Sequence, residues 1–325
     1  MTIPVVDATS STVAADAPRR WTLHSLNNGV IFKLTLLGVR WLPRQISYAL
    51  GRSGSWLSWR FMIAATGAIA DNLSAVVPEE SDAERRRRAL ETYRAYADDA
   101  VDFLRALDAS DEAVRTMFDI SAADRARFLA LLALKRGVLI VTGHFGNWEA
   151  GAVLMRRILD LPLTVVAMPE SDPAVNADRL EIRRRLGVET IEVRQSLDTP
   201  LRIRRALSEN RAVALLADRH IGRDRVAVRL LGRPAWFLRT PALLAALTGA
   251  PLLPCIIERT APGRFNATFG SPVQIDPSEA RDQAITRAAQ ALADALEPRI
   301  KAHPEYWYHF YRYWDAQRDD YTGLD

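Results

Sequence analysis

Gly137-Val138-Leu139-Ile140-Val141-Thr142 leads straight into Gly143-His144-Phe145-Gly146-Asn147-Trp148-Glu149. The first six residues form the short apolar run of a strand covered on both faces. After Glu149, Ala150 to Leu159 is apolar again, now at helical length. Strand, glycine-bracketed turn and helix in that order form the unit from which parallel sheets are built. The form recurs outward along the chain. Leu163 to Met168, Val188 to Val193 and Ala212 to Ala217 read as strands, with Val226 to Leu230, Leu252 to Ile257 and Phe265 to Phe269 as further candidates. Between them, Asp172-Pro173, Thr199-Pro200, Thr240-Pro241 and Asp276-Pro277 each set a capping side chain before a proline at the first helical position. Gly187 and Gly249 stand where helices end. This alternation predicts an α/β domain whose mixed, largely parallel sheet is flanked by helices.

Upstream the signals are helical. Ser81-Asp82-Ala83-Glu84 is a capping box, and Leu90, Tyr93, Ala97, Val101, Leu104 and Leu107 then mark one apolar stripe. Ser121 to Asp124 opens a second helix that should stop at Gly137. Residues 1–20 lack periodicity and read as a disordered tail. Residues 21–75 form a separate apolar and aromatic segment. Lys33, Arg40, Arg44, Arg52 and Arg60 interrupt it, so no uncharged run reaches the roughly eighteen residues of a spanning helix. Aromatic residues interleaved with arginine fit helices docked on a membrane surface, and equally a helical pair packed on the main domain. The main domain is expected over 76–325.

Composition narrows the function classes. Hydrophobic residues make up 49% of the 325 and charged residues 25%, enough apolar material for a substantial core, which excludes wholesale disorder and collagen-like repeats. The 43 basic against 39 acidic residues are too balanced for a duplex binder, and no nucleic acid partner is expected. The small excess favours acidic partners such as anionic lipid or an acidic carrier protein. Arg85 to Arg88 and Arg202, Arg204 and Arg205 are the clusters to watch, although such runs are usually solvated faces. A single cysteine, Cys255, lies inside an apolar strand and excludes both an internal disulfide and a cysteine-based zinc cluster.

Ligands of open α/β sheets gather beyond the carboxyl ends of the strands, which places His144 at the mouth of a cleft. Gly143 and Gly146 allow a sharp backbone path and close approach. Glu149, in the first helical turn, is placed to reach back to one imidazole nitrogen and leave the other as a base, with helix-start amides near a developing oxyanion. Such a site suits deprotonation of a hydroxyl or amine as it attacks an activated carbonyl, without a protein nucleophile. No G-x-S-x-G elbow occurs. Three other readings stay open on these residues alone. They are a structural His/Glu pair, a phosphate-binding glycine turn lacking G-x-G-x-x-G spacing, and a zinc site for which the histidines are too scattered.

His144-Phe145-Gly146-Asn147-Trp148-Glu149 resembles the H-x4-E signature of the lipid A biosynthesis (late) acyltransferases, a branch of the lysophospholipid acyltransferase superfamily. Pro169-Glu170-Ser171-Asp172-Pro173 followed by Arg183 and Gly187, the D-x-x-x-G turn from Asp218 to Gly222, and Gly232-Arg233-Pro234 are similar to that family's segments in the same order. So are Thr248-Gly249-Ala250-Pro251 with Pro254, the closing Pro304-Glu305-Tyr306-Trp307 with Arg312 and Trp314, and the early Asp71-Asn72-Leu73. The resemblance implies a glycerolipid-acyltransferase-like fold and transfer of a fatty acyl chain from an acyl carrier protein or coenzyme A thioester. The acceptor would be a hydroxyl or amine of a lipid A precursor or of another glycolipid or phospholipid. It implies work at the cytoplasmic face of a bacterial inner membrane, with no cofactor and no metal. His144 would be the general base and Glu149 its orienting partner. Arg183, Asp218, Asn147 and Gly146 would contact substrate. For Arg183 the alternative is a surface salt bridge, and for Asp218 a cap on its own turn. Trp307 and Trp314 read as packing residues. His220 stands where some members carry an acid. The alternatives are a non-catalytic lipid-binding protein and a glycine-loop phosphate or nucleotide enzyme.

Overall fold

A computed structural model describes residues 29–170, 172–193, 198–276 and 278–315. The tail expected over 1–20 lies outside them. Three helices come first: α1 (Gly29–Trp41), α2 (Arg44–Phe61) and α3 (Ile63–Leu73). The long α4 (Asp82–Asp108) and short α5 (Asp111–Met117) follow, then β1 (Phe118–Ile120) and α6 (Ala122–Ala133). The alternating part comprises β2 (Val138–Thr142), α7 (Trp148–Val153), β3 (Leu163–Ala167), α8 (Pro173–Arg185), β4 (Glu189–Glu192), α9 (Asp198–Ser208) and β5 (Ala212–Leu216). After it come β6 (Val226–Leu230), β7 (Arg233–Phe237), α10 (Thr240–Thr248), β8 (Leu252–Ala261), β9 (Arg264–Phe269) and α11 (Arg281–Ala302).

Seven strands join in the order β1-β9-β8-β2-β5-β3-β4, parallel throughout except for the antiparallel pair β8–β9. The domain is therefore α/β with a mixed, mostly parallel sheet. β2 is central because Val138, Leu139, Ile140 and Val141 are each at most 4% exposed, so each side chain contributes roughly 1.5–3 kcal/mol of burial. One apolar cluster fills the face toward α9, α10 and α11, and a second fills the face toward α5, α6 and α7. Strands β6 and β7 make a separate antiparallel hairpin.

Local chemistry set most boundaries. Ser81 and Glu84 close the anticipated capping box, Ser121 caps α6, and Asp172 caps α8 ahead of Pro173. Gly249 ends α10 in the left-handed region at φ 69°. Two proline signals misplace a helix start. Asp276 turns its carboxylate onto the Ser278 amide, and α11 begins only at Arg281. Thr199 lies inside α9, which begins at Asp198. At α10 the cap comes from elsewhere: Asp224 Oδ1 accepts from the amides of Arg239 and Thr240.

The N-terminal helices pack on the main domain. Val39 and Tyr48 join Val101 and Leu104 of α4, and Ile69 and Leu73 join Ala89 and Tyr93. These contacts cross the expected boundary between residues 75 and 76. α4 also meets α7, and α1 meets α8, so these helices adjoin the elements that follow His144 and Pro173. Among the described residues no helix is long and apolar enough to cross a membrane.

A buried ionic network ties α2 and α4 to the sheet. Arg259 on β8, 9% exposed, binds Asp99 at 2.7 Å and also Asp102. Tyr48 donates to Asp102 at 2.6 Å, and Tyr308 donates to Asp99 at 2.6 Å. Burial pushes the Asp99 carboxyl up to about 6 even with the guanidinium beside it. Arg259→Met leaves Asp99 buried without its cation and Asp102 with Arg44 at 3.6 Å, and is expected to cost about 3–5 kcal/mol at pH 7. Without the cation Asp99 holds its proton more tightly than the unfolded chain does, so the deficit shrinks as pH falls toward 5. Chemical denaturation at pH 7 and pH 5 measures both effects.

Candidate active site

The turn after β2 is built by steric exclusion. A Cβ on Gly143 would lie 2.6 Å from Leu296 Cδ2 of α11 and 3.0 Å from Asp218 Oδ2, so glycine leaves room for these two side chains beside the turn. Gly146 has φ 61°, and a Cβ there would sit 2.1 Å from the Ile257 carbonyl oxygen. The Gly146 amide donates to Tyr306 O and the Asn147 amide to Ile257 O, both at 2.9 Å. Tyr308 N–H donates to His144 O at 2.7 Å, so the C-terminal segment is bonded along the turn.

Asp218, just past β5, is fully buried and faces His144 across the strand ends. Its Oδ1 lies 2.7 Å from His144 Nδ1, and its Oδ2 accepts the His144 amide at 2.8 Å. His309 Nε2 lies 3.1 Å from the same Oδ2. Burial by itself raises a carboxyl, but His144 and His309 outweigh it and hold Asp218 well below the ordinary carboxylate range. An ionised Asp218 only accepts, so His144 carries its proton on Nδ1 and leaves Nε2 with a lone pair. Burial, with Arg219 nearby, lowers the His144 imidazole below its ordinary value against the opposing pull of Asp218. Its side chain is 19% exposed, and Nε2 of the neutral ring is left without a proton.

Glu149 does not fill the place expected of it. Oε1 is held by Arg179 at 3.1 Å and Arg183 at 3.0 Å, and the described residues show no bond to His144. Burial raises Glu149, yet Arg183 and Arg179 prevail and keep it ionised below the usual range. The reason is placement. On the first turn of α7 the carboxylate faces α8, where Arg179 and Arg183, four residues apart, share one helical face. Asp218 already occupies the imidazole's Nδ1. Arg183, 11% exposed, is thus half of a buried pair, unlike Arg184 and Arg185, which hold exposed Glu181.

Asn147 is also engaged within the protein. Buried at 4% exposure, it caps α7 through Oδ1 to the Ala150 amide and donates Nδ2 to Asp99 O. Gly146 serves backbone geometry, and the His144, Gly146 and Asn147 amides are taken by protein oxygens. Between supporting the site and capping its own turn, Asp218 does the first: both carboxylate oxygens face the histidines. His220 Nδ1 lies 3.3 Å from Gly222 O within its own turn. Trp307 packs edge-on to His309 and Tyr313, and Trp314 edge-on to Tyr313, as packing residues should. The arginine clusters meet local carboxylates: Arg86 with Asp82, Arg88 with Glu80, Arg202 with Glu189, Arg205 with Glu209.

Two residues of the site escaped the sequence reading in whole or in role. His309 was one more scattered histidine, 91 residues from Asp218. Asn72, within the noted Asp71-Asn72-Leu73, proves to be a clamp: Nδ2 donates to the carbonyls of His309 and Tyr311, and Oδ1 accepts from Tyr313 N. Its position beside the closing aromatic motif was the only signal, and it needs the fold to be read.

Comparison with known proteins supplies the family. Residues 11–316 match the family model for bacterial lipid A biosynthesis acyltransferases. The chain is 32% identical over 192 residues to the phosphatidylinositol mannoside acyltransferase of Mycobacterium tuberculosis H37Rv, covering 58% of this chain and 57% of that protein. It is 30% identical to the Mycolicibacterium smegmatis protein of the same name, over 57% of this chain and 59% of that one. The matches thus span a little over half the length of these curated relatives. The Escherichia coli K12 lipid A biosynthesis lauroyltransferase is 26% identical over 84% of this chain and 88% of its own. With the family model covering nearly the whole sequence, the chain belongs to the bacterial lipid A biosynthesis acyltransferase family.

Proposed function

We propose that this protein transfers a fatty acyl group from a thioester, carried by acyl carrier protein or coenzyme A, to a hydroxyl or amine of a membrane glycolipid. The observation that carries the reading is His144 itself: Nδ1 is bonded to a buried carboxylate, and Nε2 is left with a lone pair on a side chain that is 19% exposed. Nε2 removes the proton from the acceptor O–H or N–H as that atom attacks the thioester carbonyl. The carbon–sulfur bond then breaks, and the leaving sulfur takes the proton back from Nε2. An ester or amide and a free thiol result, with no covalent enzyme intermediate. Asp218, rather than Glu149, orients the base. Glu149 sets the two guanidinium groups of α8 beside it, and Arg183 is the one we assign to an anionic group of a substrate. Two relatives named as phosphatidylinositol mannoside acyltransferases favour a glycosylated phosphatidylinositol as acceptor, ahead of a lipid A precursor.

The same reading places the protein against a membrane at its N-terminal helices. Leu37, Trp41, Ile46, Leu50, Trp56, Leu57, Phe61 and Ile63 are eight of the thirteen large exposed apolar side chains among the described residues, so this exposure is concentrated on α1 to α3. Arg40 and Arg60 are exposed among them, as an interfacial helix requires.

His144→Ala should lower turnover of palmitoyl-coenzyme A with phosphatidylinositol mannoside by about 10²–10⁴-fold while binding to anionic vesicles survives. Undiminished turnover would end the proposal. Because the imidazole lies below its ordinary 6.5, the acid limb of kcat/KM should fall below that pH. Glu149→Gln should leave the limb in place, and Asp218→Asn should reduce kcat by about 10²-fold or more. Replacing Trp41 and Phe61 together by serine should weaken vesicle binding, read by co-sedimentation, without changing the melting temperature.

A further inference from the structure

Trp148, on the first turn of α7, has no task in the acyl transfer just described. Its ring lies edge-on to the His144 imidazole, with centroids 5.5 Å apart and planes at 67°. It also meets the ring of Tyr308 at 6.0 Å, and Tyr308 is anchored by its amide on His144 O and by its hydroxyl on Asp99. Two fixed rings thus set the plane of the indole. Trp148 is only half-buried, and among the described residues its Nε1–H meets no acceptor. Other tryptophans differ. Trp59 donates to Arg86 O at 2.6 Å, and the unpaired N–H groups of Trp307 and Trp314 are sealed inside the protein. In the next residue, Glu149, only Oε1 accepts from Arg179 and Arg183, and Oε2 accepts no hydrogen bond among the described residues.

The indole is therefore a flat apolar surface with one unused donor on its rim, beside the imidazole. A ligand that covers it must bring an acceptor, or the N–H loses water and gains nothing. A fatty acyl chain brings none. The adenine of coenzyme A has acceptors, but the pantetheine arm holds it far from a thioester carbonyl placed at His144. A sugar ring offers an apolar C–H face together with a rim of hydroxyls, which accept from N–H and donate to carboxylate. The hydroxyl to be acylated must come within about 2.6–3.2 Å of His144 Nε2. The ring that carries it then lies against whatever flanks the imidazole, and Trp148 flanks it.

We infer that Trp148 is a sugar-binding platform: its face stacks on the glycosyl ring of the acceptor, and its Nε1 donates to a hydroxyl of that ring. The inference rests on the proposed acyl transfer to a glycolipid at His144, and it gives that reaction a means of selecting its acceptor.

Trp148→Leu keeps apolar bulk and removes both the flat face and the donor, whereas Trp148→Phe removes the donor alone. In the full chain with palmitoyl-coenzyme A, Trp148→Leu should raise KM for phosphatidylinositol mannoside about three- to tenfold. Trp148→Phe should raise it about two- to threefold. KM for palmitoyl-coenzyme A and kcat should hold, the pattern of binding lost equally from ground and transition states. Methyl α-mannoside should compete with the glycolipid in the wild type and lose that effect in Trp148→Leu. An unchanged KM for the glycolipid in Trp148→Leu, with His144→Ala inactive, overturns this inference and leaves the acyltransferase reading standing. A fall in kcat alone overturns it too, since the indole then packs on the imidazole or donates to the carbonyl. So does a rise confined to KM for palmitoyl-coenzyme A. An active His144→Ala overturns the acyltransferase reading instead. ¹⁵N spectra of tryptophan-labelled protein test the contact itself. The indole N–H signal missing from Trp148→Phe should shift when methyl α-mannoside is added to the wild type, and a signal that stays in place overturns the inference.

Discussion

Asp218 is a carboxylate buried where two parallel strands end, and burial of such a charge costs several kcal/mol unless every lone pair is met. Here three N–H groups meet it, two from His144 and one from His309. Each charge-assisted bond is worth about 1.5–3 kcal/mol, enough together to keep the group ionised in the interior. The arrangement exists only where β5 ends beside β2 and the C-terminal segment returns across the turn, and glycine at 143 leaves the carboxylate its room. Much of the fold serves to make that approach.

The return is secured from a distance. Tyr308 bonds the His144 carbonyl with its amide and Asp99 with its hydroxyl, while Asn72 clamps the carbonyls of His309 and Tyr311. Asp99 in turn meets Arg259 of β8, whose other carboxylate partner, Asp102, also receives Tyr48 of α2. The N-terminal helices, whose outer faces carry the exposed aromatic residues, are thus joined to His144 by a continuous run of buried polar contacts through α4 and the closing segment.

Comparison of pattern with structure separates two kinds of information. The strands from Val138, Leu163, Ala212 and Leu252 were readable because burial on both faces leaves an unbroken apolar run. Ser81, Ser121 and Asp172 were readable because a cap acts within three residues. Phe118–Ile120 is too short to show a period, and Arg233–Phe237 contains Pro234, which the hairpin tolerates but a pattern search reads as a break. Asp276-Pro277 has the grammar of a helix start but not the neighbours.

At the site the division is sharper. His144 was legible because strand, glycine and turn are contiguous, and that contiguity alone fixes where a residue stands at a sheet's carboxyl edge. Glu149 was assigned to it because five positions is a short reach in sequence. Folded, a residue on the first turn of α7 faces α8, and two guanidinium groups claim its charge. The amino-acid order by itself determined the α/β ladder, the turn and the histidine standing on it, since these follow from hydrogen bonding and burial among near neighbours. Which acid bonds that imidazole, and which second histidine meets the acid, only the tertiary structure decided. Those partners lie 74 and 91 residues apart along the chain, and only the packing of strand ends against the returning C-terminal segment brings their dipoles into line.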